Sequence, residues 1–125
     1  MKISQTQPKT IEEAIEMLYN GMTADEIERA KNYSPANYHH SLGTQLRNNW
    51  NFWGESELKQ DFINRFELFG HGDDLSGVIL DGLFAKCQGR DVGAAIKKTI
   101  DSYKRHWLKS GLNPKTGEQI KVIQS

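Results

Sequence analysis

Thr10-Ile-Glu-Glu13 and Thr23-Ala-Asp-Glu26 repeat one device: a hydroxyl followed three residues later by a carboxylate. That spacing is the capping box that opens a helix, and it constrains this chain more than any other feature. The first helix it opens stops near Gly21, and the second ends near Asn32. Ser34-Pro35 puts a capping residue before a proline at the first helical position, which predicts a third helix running to Trp53 and closed by Gly54. "SELKQDFINRFELFG" predicts a fourth, with Leu58, Phe62 and Phe66 one turn apart and Gly70 as its stop. "HGDD" is read as a short connection, and a fifth helix follows over about Leu75–Gln88, stopped by Gly89. Asp91 caps a sixth, whose stripe Val92, Ile96, Ile100, Tyr103 and Trp107 keeps helical spacing until Gly111.

No segment alternates polar and apolar residues long enough to be a convincing strand, although "IKVIQS" would suit an edge. The expectation is an all-α fold, a single compact domain of about six helices. Residues 1–9 are expected as a flexible N-terminal arm, 10–111 as the helical domain and 112–125 as a C-terminal tail. At 125 residues the chain suits one domain and buries a core without staples.

Composition narrows the function classes. One cysteine, Cys87, excludes an internal disulfide. "MKISQTQPKT" has no apolar run, and no stretch reaches the roughly 20 apolar residues of a membrane span, so a cytoplasmic protein without membrane contact is expected. Sixteen basic residues balance sixteen acidic ones, which argues against nucleic acid as a partner. The charges are unevenly placed. Lys97, Lys98, Lys104, Arg105, Lys109, Lys115 and Lys121 make the C-terminal third basic, while Glu12, Glu13, Glu16, Asp25, Glu26 and Glu28 make the N-terminal third acidic. The asymmetry reads first as solvated faces, and it is compatible with head-to-tail pairing into a homo-oligomer.

Chemistry-bearing residues concentrate in two stretches. In "HHSLGTQLRNNW", stepping at 100° per residue puts His39 within about 60° of Leu42, Leu46, Trp50 and Trp53, so it faces inward and needs a partner. Gly43 lies on that side, where a missing side chain lets another segment or a ligand approach. Arg47 and His40 sit at the edge of the apolar arc, Arg47 offering a planar fork for phosphate or carboxylate, or for an ion pair with Asp73 or Asp74. Asn48 falls on the opposite side. In "FGHGDDLSGVIL", His71, Asp73 and Asp74 precede the fifth helix. Ser76 lies within the arc of Ile79, Leu80, Leu83 and Cys87, so it is expected covered, either bonded back to the preceding turn or set at the floor of a pocket.

These residues carry a resemblance. "YHHSLGTQLRNNWNFW" followed by "HGDDLSGVIL" resembles an uncharacterised domain-of-unknown-function family of small phage and bacterial proteins. Its pattern runs His-x-x-Leu-Gly-x-x-Ile-Arg-Asn, then Leu-Trp, then His-Pro-Asp-Asp-x-Ser-x-x-Ile. It falls on His39, Leu42, Gly43, Leu46, Arg47, Asn48 and Trp53, then on His71, Asp73, Asp74, Ser76 and Ile79. Leu46 replaces isoleucine, Phe52 leucine and Gly72 proline, and no polar group is lost. The resemblance spans about residues 10–88 and implies no activity; it does imply that both stretches belong to one feature, and it suggests a role in phage–host conflict.

The expected function is therefore a small binding protein, with His39, Gly43, Arg47, Asn48, His71, Asp73, Asp74 and Ser76 forming a pocket for a small anionic, nucleotide-like ligand or a host partner protein. No cofactor is expected, and the spacing matches no tight metal motif. Two alternatives stand beside it: a metal-dependent hydrolase using His39, His40, His71, Asp73 and Asp74, and a structural network with the interaction surface elsewhere. A nucleophile-based enzyme is harder to support. Cys87 has no evident activating base, and a Ser76 triad with His39 or His71 and Asp73 lacks the strand-turn-helix setting.

Overall fold

The computed structural model describes residues 6–32, 42–52 and 54–120. Among them are six α-helices: α1 (Ile11–Asn20), α2 (Ala24–Ala30), α3 (Leu42–Asn49), α4 (Glu57–Phe66), α5 (Gly72–Cys87) and α6 (Val92–Lys109). The one strand-like pairing in the described residues is an isolated antiparallel bridge between Leu112 and Gln119. The fold is all-α, as the punctuation predicts.

Local chemistry explains where most helices begin. Thr23 Oγ1 accepts from Glu26 N at 3.1 Å and Glu26 Oε1 accepts from Thr23 N at 3.0 Å, a complete capping box. At α1 the Thr10 hydroxyl accepts from Glu13 N at 3.1 Å, but the Glu13 carboxylate reaches Lys9 N instead, so only half of the box closes. Ser56 and Asp91 cap α4 and α6 through Lys59 N and Ala94 N.

Three boundaries differ from the sequence expectation. α4 ends at Phe66 rather than at Gly70, because Glu67 turns the chain with φ 52° and donates its N–H to Ile63 O. α3 ends at Asn49, and Asn51 takes φ 52° before Gly54 is reached. α5 starts at Gly72, three residues earlier than Leu75, so "HGDD" is not a connection but the cap and first turn. The predicted start of the third helix, Ser34-Pro35, lies outside the described residues.

α5 is the axis of the fold. Thirteen of its sixteen residues are buried, so it is wrapped on every side rather than along one stripe. It packs against α1, α2, α3 and α6, and α4 closes against α1. Gly82 allows a close approach of helices: a Cβ there would collide with Ile15 Cδ1 of α1 and lie 3.4 Å from Ile96 Cγ1 of α6. Trp50, Phe52, Phe62, Leu46 and Leu75 fill the core, each at most 1% exposed. α6 contributes Ile96 and Ile100, with Val92, Tyr103 and Trp107 half-buried against them. Residues 112–120 fold back as a tight turn. Phe69 N donates to Pro114 O at 2.8 Å, and Gly117, at φ 75°, lets the backbone lie against the Phe69 ring.

Candidate functional site

The α3–α5 contact brings part of each polar stretch together. Arg47, in the last turn of α3, extends back along its own helix towards α5. Its Nη1 donates to Ser76 Oγ at 2.9 Å and its Nη2 to Thr44 Oγ1 at 3.0 Å. Gly43 makes room for this path: a Cβ there would stand 3.0 Å from Nη1 and 3.7 Å from Ser76 Oγ. The helix forgoes up to about 1 kcal/mol of propensity at that glycine, and the guanidinium occupies the space gained.

Ser76 couples the two helices. It is fully buried, accepts from Arg47 and donates to Asp73 O at 2.9 Å. The first of the two sequence readings holds for it: it bonds back to the preceding turn. Because its proton is directed at a backbone carbonyl rather than at an imidazole, the geometry offers no activated nucleophile. Asp73 is the loosest member. Its Oδ1 stands 3.5 Å from Arg47 Nη1, and its side chain is 63% exposed while that of Arg47 is 15% exposed.

His71 and Asp74 engage a different neighbour. His71 Nδ1 accepts from Asp73 N at 3.2 Å, so an imidazole rather than an aspartate caps α5. The ring lies against Trp107 and Phe69, with centroids at 5.6 Å and 6.3 Å. Asp74, 5% exposed, accepts from Trp107 Nε1 at 2.7 Å. Burial pushes its carboxyl above the usual value; the Trp107 hydrogen bond and the nearby His71 and His106 pull the other way. The Tyr103 hydroxyl is pushed up as well, by burial and by Asp81, Asp74 and Asp73.

The expected site residues thus divide. Gly43, Arg47, Asp73 and Ser76 converge on one cluster. His71 and Asp74 sit at the same helix start but face α6. Asn48 is exposed on α3, away from the cluster. His39 and His40 lie outside the described residues. Among the described residues no group of three or more His, Cys, Asp or Glu side chains could hold a metal ion. Two participants carry no site signal in the sequence. Thr44 has only its place one turn from Arg47. Trp107 belongs to the apolar stripe of α6, yet an inward tryptophan N–H needs an acceptor and a covered carboxylate needs a donor.

A family model described as "Domain of unknown function (DUF6794)" matches residues 7–86, which contain both polar stretches. No curated protein and no solved structure matches the chain.

Proposed function

The chain belongs to that family, and we propose that it is a small binding protein whose Arg47 cluster takes a small anionic, nucleotide-like ligand by its phosphate. The observation that carries this is the unequal grip on Arg47. Two hydroxyls at 2.9 and 3.0 Å fix the fork, while its carboxylate partner is exposed and 3.5 Å away. A phosphate exchanges for Asp73 without disturbing the contacts that hold the guanidinium, and charge-assisted bonds of this type each contribute about 1.5–3 kcal/mol. The released Asp73 carboxylate then accepts from a ribose hydroxyl or an amine. A host protein presenting a carboxylate or phosphate is the corresponding macromolecular ligand. The resemblance to phage-borne proteins and the single, buried cysteine support a cytoplasmic role of this kind, capturing a signal or blocking a host factor. The Asp74–Trp107 pair is assigned to the fold rather than to ligand.

Thermal melts with AMP, GMP, cyclic AMP and inorganic phosphate test the reading. A nucleotide at about 100 times its dissociation constant adds roughly 2.7 kcal/mol of stability. Arg47→Lys is the decisive control: it keeps the charge and removes the planar fork, so the folded variant loses most of the shift. A full panel without any shift, or a shift unchanged in Arg47→Lys, refutes the proposal.

A further inference from the structure

We propose that the cavity between α2, the start of α3 and the C-terminal half of α5 is a second binding site, for a small aromatic molecule about the size of indole. The cavity measures ≈ 210 Å³. An apolar cavity of about 150 Å³ admits benzene, so this one takes a fused ring but not a drug-sized ligand. Ala30, Leu42 and Leu83 supply aliphatic walls.

The rest of the lining selects an aromatic ring over an alkyl one. Phe84 offers a ring for offset or edge contact. Cys87 Sγ and Met22 Sδ, 3.7 Å apart, place two sulfurs together on the lining, and sulfur favours ring edges. Burial pushes the Cys87 thiol up, which keeps it neutral and the lining apolar. Glu26 and Arg29 also line the cavity. Few polar groups among apolar walls is the usual make-up of a small-molecule site. Leu83 follows Ser76 by about two turns of α5, roughly 10 Å along the axis, so this site and the Arg47 cluster are separable.

Cys87 is the only cysteine, which makes it a built-in reporter. The full chain is titrated with indole while melting temperature and the rate of Cys87 modification by a thiol reagent are followed. With indole at about ten times its dissociation constant, melting temperature rises and labelling slows about tenfold. Cyclohexanol, similar in size but not aromatic, gives a clearly smaller effect. Ala30→Leu fills the cavity, so the folded variant loses the indole response; should it fail to fold, Met22→Phe fills the space from a half-buried position. Indole leaving both readouts unchanged overturns the proposal, as does a response that survives in the filled variant. Equal responses to cyclohexanol and indole overturn the aromatic class of ligand.

Discussion

Trp107→Phe isolates one bond at the head of α5. The substitution removes the indole N–H that lies 2.7 Å from Asp74 Oδ2, and Asp74 is only 5% exposed, so water does not replace the donor freely. Leaving a buried acceptor unmatched costs about 1–3 kcal/mol, towards the upper end when it is charged. The smaller ring forfeits about 1 kcal/mol of packing. The total, about 3 kcal/mol, corresponds to a melting temperature roughly 10 °C lower for a chain of this size at pH 7. The pH dependence follows from the direction of the Asp74 shift. Its carboxyl is raised above 3.8, so the folded state holds the proton longer than the unfolded state does. Stability therefore falls as pH rises from the unfolded value through the folded one, and the penalty is absent in acid. Loss of the Trp107 bond, which lowers that pKa, lifts it further and deepens the fall. Trp107→Phe must then cost more at pH 7 than at about pH 4. Asp74→Asn keeps an acceptor oxygen and removes the charge, so the same tryptophan change in that background costs only about 1 kcal/mol beyond packing. Urea denaturation of the four proteins at both pH values gives the cycle. A Trp107→Phe penalty below about 0.5 kcal/mol, or one indifferent to both pH and Asp74→Asn, refutes the reasoning.

Other expectations follow from the same geometry. Arg65 bridges α4 to α1 through Glu12, at 2.5 and 2.6 Å, and pairs with Asp61 at 3.1 Å. All three side chains contact solvent, so Arg65→Ala should cost about 1 kcal/mol in low salt and much less in 1 M salt, read by denaturation at both. The Arg65 hydrogen bonds hold the Glu12 carboxyl below 4.5, so that contribution is present above this value and is lost as pH falls through the lowered one; the alanine variant lacks this step. Gly82→Ala gains about 1 kcal/mol of helix propensity and drives a methyl into Ile15 Cδ1, which is buried and has little room to swing. The net effect expected is a loss of about 1–2 kcal/mol, with Ile15→Val added to Gly82→Ala recovering part of it; equal or higher stability in Gly82→Ala alone refutes the close packing. Asp91→Ala removes the cap of α6 and should cost about 1 kcal/mol, while Asp91→Asn costs little, both measured by thermal melts.

The helix count was readable because capping hydroxyls, glycines and apolar stripes are local signals, and the stripe Val92–Trp107 does face the core. What misled was chemistry outside the usual vocabulary. Glu67 and Asn51 take left-handed turns where glycines stood nearby as the obvious stops. An imidazole caps α5 where two aspartates offered themselves. That last displacement matters most for the site. Read as a loop, Asp73 and Asp74 are free to point together; set in the first turn of a helix, they diverge by about 100°. Asp73 then reaches Arg47 of α3 and Asp74 reaches Trp107 of α6. One short stretch fastens the head of the central helix to both neighbours, by a loose, partly exposed ion pair on one side and a tight, part-buried hydrogen bond on the other. The tight partner, Trp107, stands beyond the matched residues 7–86, so Asp74 finds its donor on a helix outside the matched stretch. The loose partner, Arg47, lies within it, with Gly43 and Ser76 beside it. On the proposed reading the solvent-facing Asp73 contact is the one a ligand exchanges, while the less accessible Asp74 contact holds the fold.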